Sequence, residues 1–122
     1  MKTCLVVDDS RVIRMVARKV LQELQFDVKE AAHGQEALTR CCEEMPDAIL
    51  LDWNMPIMSG IEFLVALRRM SNGGDPIVVF CTTESELSRI QQAIELGANE
   101  YIMKPFDSEI IQLKFEQLGL LD

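Results

Sequence analysis

Three uninterrupted apolar runs constrain this chain most: Cys4–Val7, Ala48–Leu51 and Ile77–Cys81. None alternates apolar with polar residues, as a strand with one wet face would. Runs of four or five residues without alternation belong to strands covered on both faces. Stretches of helical period separate them. Ile13, Val16, Ala17, Val20, Leu21 and Leu24 form one helical face after Ser10, which can cap it. Ala37, Leu38 and Cys41 point inward from a second helix opened by Gly34, and Ile61, Leu64, Val65 and Leu67 from a third that follows Gly60. Leu87, Ile90 and Ile94 carry a fourth, ending at Gly97, and Ile111, Phe115 and Leu118 a fifth.

Residues 26–31 read as a more polar strand suited to a sheet edge, and Tyr101–Met103 as a short last one. Strand and helix thus alternate five times. The expected class is α/β, a doubly wound parallel five-stranded (βα)5 sheet with helices on both faces. Right-handed crossovers leave few topologies, and the flavodoxin-like order 2-1-3-4-5 is the natural one.

The 122 residues suffice for one domain, expected to span 1–122 with no output domain attached. Twelve basic against 20 acidic side chains give a net charge of −8, which disfavours nucleic acid as a partner. No stretch is long and apolar enough for a membrane span, and the start lacks the pattern of a secretion signal, so a cytoplasmic protein is expected. Cys4, Cys41, Cys42 and Cys81 show no metal-ligand spacing and read as reduced thiols.

Ligand sites in open parallel sheets form beyond the carboxyl ends of the strands. At that rim the first strand places Asp8 and Asp9, the third Asp52, the fourth Thr82 and the fifth Lys104. Taken singly, each has an ordinary reading: a helix cap, a turn residue, a strand-end hydroxyl, a surface charge. Together they gather at one edge. Three clustered carboxylates repel one another, and Lys104 alone cannot balance them. A hard divalent cation can: Mg²⁺ prefers carboxylate oxygens, with Mn²⁺ as an alternative. A phosphoryl group then becomes an attractive ligand, bound by Lys104 and Thr82, and Asp52, already ionised at neutral pH, can attack phosphorus.

Asp8-Asp9, Asp52, Thr82 and Lys104-Pro105 together resemble the signature of response-regulator receiver domains of two-component signalling, over essentially the whole chain. The segments Asp52-Trp53-Asn54-Met55-Pro56 and Lys104-Pro105-Phe106 are similar to the chemotaxis type of that family. Receiver domains share the 2-1-3-4-5 order, so topology and resemblance are not independent expectations.

The resemblance implies that Asp52 is the phosphoacceptor, charged by a phosphohistidine on a sensor histidine kinase. It implies Mg²⁺ ligation by Asp9, Asp52 and the Asn54 backbone carbonyl, with Asp8 acting through water. Thr82 would be the switch hydroxyl and Tyr101 the switch aromatic. Pro105 would follow a cis peptide bond. Asn54 and Glu84 would flank the site and modulate dephosphorylation, the only chemistry beyond phosphoryl acceptance expected of a protein that is not an enzyme in the usual sense. Thr83 also carries a hydroxyl, although its spacing to Lys104 fits less well. Tyr101 reads equally as an ordinary half-buried strand aromatic. His33, the only histidine, is expected to be exposed and without a role.

An output surface is expected from the fourth helix, fifth strand and last helix, with Arg89, Gln92, Tyr101, Ile110 and Lys114 as candidates. Ile110 also reads as a harmless surface residue. The expected partner is a flagellar motor switch or another signalling protein, and the expected resting state a monomer. A phosphorelay shuttle to a histidine phosphotransfer protein is the alternative. A flavodoxin-type carrier would need a Ser/Thr/Gly-rich loop where Asp8-Asp9-Ser10-Arg11 stands. A haloacid-dehalogenase-type hydrolase would need Asp-x-Asp after the first strand and a cap insertion.

Overall fold

The computed structural model describes residues 1–121. Strands β1 (Thr3–Val7), β2 (Asp27–Ala31), β3 (Ala48–Leu51), β4 (Ile77–Thr82) and β5 (Glu100–Met103) alternate with helices α1 (Arg11–Glu23), α2 (Gly34–Glu43), α3 (Gly60–Arg68), α4 (Ile90–Glu95) and α5 (Ser108–Gln117). The sheet is parallel with order β2-β1-β3-β4-β5, so the expected fold stands.

Two apolar layers cover it. Leu5, Val7, Ile49, Leu51, Val78 and Phe80 face one core with residues of α2, α3 and α4. Cys4, Val6, Leu50, Val79 and Cys81 face the other with Ala17 and Leu21 of α1 and Ile111 and Phe115 of α5. Both faces of the central strands are dry, which is why these strands lack alternation. The polar β2 lies at the edge, where Asp27 and Lys29 remain exposed.

Side-chain caps start most helices. Ser10 accepts from the Ile13 N–H, Asp107 from that of Ile110, and Ser59 forms a reciprocal capping box with Glu62. His33 also caps: its Nδ1 accepts from the Glu36 N–H at 3.2 Å and it is only half-exposed, which corrects the expectation of an idle side chain.

Two helical faces differ from their sequence reading. In α1, Ala17 and Leu21 are buried but Val16 is 45 % exposed. One residue turns a helix by about 100°, which carries Val16 off the Ala17–Leu21 line. The fourth helical segment begins as a 3-10 turn, Glu84–Arg89, and becomes α-helical only over Ile90–Glu95. Leu87 and Ile94 face solvent there, and Ala93 is the buried contact. In α3 the buried set includes Phe63, beside the expected Leu64 and Leu67.

Candidate functional site

Strand register builds the site. Val7 pairs with Leu51, Leu51 with Phe80, and Thr82 with Met103. The next residue along β1 and β3 is therefore a carboxylate on adjacent strands. The Asp8 N–H donates to the Ala31 carbonyl at 3.1 Å and the Asp52 N–H to that of Val7 at 2.9 Å, so both residues leave the sheet under backbone control.

The loop after β3 is fixed by Gly60. A Cβ there would stand 2.1 Å from the Asp52 carbonyl oxygen, closer than any side chain tolerates. The Gly60 N–H donates to the Trp53 carbonyl at 2.9 Å. Glycine thus lets the start of α3 press against the backbone of Asp52.

Asp8, Asp9 and Asp52 each offer an oxygen within 4.8 Å of the others. Asp8 and Asp52 are 3 % and 8 % exposed, whereas Asp9 faces solvent. Lys104 Nζ donates to Asp52 Oδ1 at 2.9 Å and to Asp8 Oδ2 at 3.3 Å, one cation against three carboxylates. Burial pushes the Asp52 carboxyl up; Lys104 opposes this and the charge on Asp8 adds to it, leaving the pKa above the ordinary value. Burial pulls the Lys104 ammonium down, but Asp52 and Asp8 outweigh it and hold its pKa high. The group is anionic and under-compensated, and its all-oxygen donor set suits a hard divalent cation.

The other expected residues fall around this cluster. Thr82 is fully buried at the end of β4; its hydroxyl donates to the Thr83 carbonyl at 3.2 Å, and its own carbonyl accepts from the Lys104 N–H at 2.7 Å. The Lys104–Pro105 bond is cis. Tyr101 is half-buried on β5, with Lys114 Nζ 5.8 Å from its ring centroid. Ile110 is exposed. Glu84 is exposed; the acid that meets Asn54 is instead Glu86, whose Oε2 accepts from Asn54 Nδ2 at 2.9 Å.

Two site features were not anticipated. Trp53 is buried and stacks on Phe80, with the Arg89 guanidinium 5.8 Å from its ring centroid. Glu86 joins two loops across the site. The one signal for Glu86 in the sequence was Thr83-x-x-Glu86, the pattern of a helix cap.

The response regulator receiver domain family model matches residues 4–116. The chain is 35 % identical over 114 residues to chemotaxis protein CheY1 of Helicobacter pylori, covering 92 % of each chain. It is 36 % identical over 118 residues to a chemotaxis protein CheY homolog of Campylobacter jejuni, covering 93 % of this chain and 89 % of that one. Among solved structures, the chemotaxis response regulator CheY4 of Vibrio cholerae superposes with a TM-score of 0.90 at 34 % identity, over 97 % of this chain and 98 % of that one. The acids, threonine and lysine at the sheet's carboxyl rim therefore sit in a known frame, and this chain belongs to the response regulator receiver domain family.

Proposed function

We propose that Asp52 accepts a phosphoryl group from a phosphohistidine of a sensor histidine kinase and that the protein relays this state to a target of the chemotaxis type, such as a flagellar motor switch. The observation that carries the reading is Lys104 bridging Asp52 and Asp8 beside Asp9. A nearly buried carboxylate is held by one lysine in a pocket with more negative than positive charge.

Asp8, Asp9, Asp52 and the Asn54 backbone carbonyl would hold Mg²⁺, or Mn²⁺ in its place. The bound ion offsets negative charge on the carboxylates and on incoming phosphoryl oxygens. The residues of this chain supply the rest. An oxygen of Asp52 forms the new P–O bond as the donor's P–N bond breaks, and the electron pair of that bond stays on the imidazole nitrogen. Lys104 holds Asp52 in line and binds a phosphoryl oxygen. The Thr82 hydroxyl leaves the Thr83 carbonyl to donate to another, and Tyr101 follows toward the space it vacates. Asn54 and Glu84, at the mouth, govern access of the water that later hydrolyses the acyl phosphate. The exposed Ile110, with Arg89, Gln92, Tyr101 and Lys114, forms the surface that a target reads. The similarity to three chemotaxis regulators supports that pathway.

Trp53, directly after Asp52 and the only tryptophan, provides the test. Its fluorescence is expected to change with Mg²⁺ and again with acetyl phosphate, and the second change to vanish in Asp52→Asn. A phosphodonor response that survives in that variant rejects Asp52 as the acceptor.

A further inference from the structure

The Glu86 carboxylate joins the two loops that flank the acid cluster. Its Oε2 accepts from Asn54 Nδ2 at 2.9 Å, two residues after Asp52. Its Oε1 accepts from the Thr83 N–H at 3.1 Å and from the Thr83 hydroxyl at 3.0 Å. Thr83 in turn provides the carbonyl that holds the Thr82 hydroxyl. A continuous chain of hydrogen bonds thus runs from the loop after β3, through Glu86, to the residue that restrains Thr82.

Beyond its own turn bonds, the segment so fastened has one further contact on the site side, the Arg89 guanidinium 5.8 Å from the Trp53 ring centroid. Glu84–Arg89 is a 3-10 turn with no buried residue. Short turns of this kind have poorer hydrogen-bond geometry than an α-helix, and segments with few buried contacts open most easily. Three hydrogen bonds to a carboxylate are a substantial share of what such a segment makes, and bonds to a charged acceptor are stronger than neutral ones.

We infer that Glu86 is a positioning residue, a latch that holds the Thr83 segment against the Asn54 loop in the resting conformation and is released when Asp52 carries a phosphoryl group. This rests on the phosphoacceptor reading of Asp52. Within that reading the logic is one of two states. Thr82 must give up its bond to the Thr83 carbonyl to reach a phosphoryl oxygen, which disturbs the backbone that Glu86 grips. A phosphoryl group also adds negative charge near a carboxylate. A contact present in only one of two states biases the equilibrium toward it, and its removal tightens any ligand of the other state by the same factor.

The test uses beryllofluoride, a phosphoryl mimic, titrated into the full chain at saturating Mg²⁺ with Trp53 fluorescence as readout. Glu86→Ala is expected to lower the apparent Kd at least about fivefold, the scale of one ordinary net hydrogen bond lost from the resting state. Glu86→Gln is expected to stay within about twofold of the wild type, because its amide can accept from Thr83 and donate to Asn54 once the Asn54 amide turns over. Thr83→Ala cuts one arm of the latch from the other side and is expected to shift affinity in the same direction by less. An unchanged or weakened affinity in Glu86→Ala overturns the latch. So does equality of the Gln and Ala variants, which would leave charge repulsion alone as the cause. If Glu86→Ala does not fold, Thr83→Ala decides: an unchanged affinity there overturns the latch equally. A wild-type chain without any beryllofluoride response defeats the phosphoacceptor reading instead.

Discussion

Trp53 lies nearly flat on Phe80, ring centroids 4.0 Å apart and planes inclined by 20°. The stack buries the large aromatic that directly follows Asp52 in the chain. It also buries an indole N–H that finds no acceptor among the described residues. The pair therefore combines favourable packing with an unmet polar group, two effects of opposite sign.

Trp53→Phe separates them. The smaller ring leaves a void, but it also removes the unmet N–H. Expected destabilisation is about 1 kcal/mol, well under the ~3–5 kcal/mol typical of truncating a buried Trp to Ala. Urea unfolding of the two variants provides the comparison. A Phe variant as damaging as Ala would mean that the N–H is satisfied by an ordered water.

Asp52→Asn should stabilise the metal-free protein. Burial raises the Asp52 pKa, and the charge on Asp8 adds to the rise against the pull of Lys104. A raised carboxyl pKa means that the folded chain binds the proton more tightly than the unfolded chain. That advantage is full below the ordinary carboxylate range and is lost as pH rises through the raised value. At neutral pH the ionised Asp52 is therefore a net cost. The melting temperature in EDTA should be higher for Asp52→Asn than for wild type at pH 7, with the gap closing as the pH is lowered. Mg²⁺ should reverse the order, since at a hundredfold excess over its Kd it adds ~2.7 kcal/mol to wild type and less to a variant that has lost one carboxylate ligand.

Arg68, half-buried at the end of α3, clamps the opposite rim of the sheet. Its guanidinium donates to the carbonyls of Gly97, Gly73 and Pro76 and to Asn99 Oδ1, at distances from 2.7 to 3.1 Å. Gly97 has φ +116, and a Cβ there would stand 3.0 Å from Arg68. The planar fork is what reaches four acceptors. Arg68→Lys should therefore lose nearly as much stability as Arg68→Ala, about 2 kcal/mol by urea unfolding. A lysine variant close to wild type would show that charge, and not the fork, is what the turn needs.

Much of this architecture was legible because it rests on one-residue signals. Asp8-Asp9, Asp52, Thr82 and Lys104 end apolar runs, and parallel register brings the ends of adjacent strands to one rim whatever the detailed packing. What escaped depends on how loops fold back. Glu86 meets Asn54 across 32 positions of sequence, and no local pattern encodes that contact. Leu87 and Ile94 have helical spacing, yet a 3-10 start turns them to solvent. Val16 belongs to the apolar pattern of α1, but the helix buries only the narrower stripe through Ala17 and Leu21. The close approach of Gly60 to Asp52 is invisible until the loop is closed.

Ile57, five residues after Asp52, has φ +68 and is 77 % exposed. A β-branched side chain in the left-handed region is a true outlier, because its branches crowd the backbone. Strain of this kind costs of order 1–3 kcal/mol, and an exposed side chain recovers little of it through burial. Glycine has no Cβ to strain but loses more freedom on folding, by up to ~1 kcal/mol. Asn accepts the left-handed region better than Ile and keeps a side chain. Both Ile57→Gly and Ile57→Asn should therefore stabilise the protein by roughly 0.5–1 kcal/mol, seen as a higher urea midpoint with unchanged slope. The Trp53 response to Mg²⁺ should stay as in wild type, since Ile57 contributes no ligand to the acid cluster. A lower midpoint in both variants would show that the Ile57 side chain packs in solution and relieves its own strain.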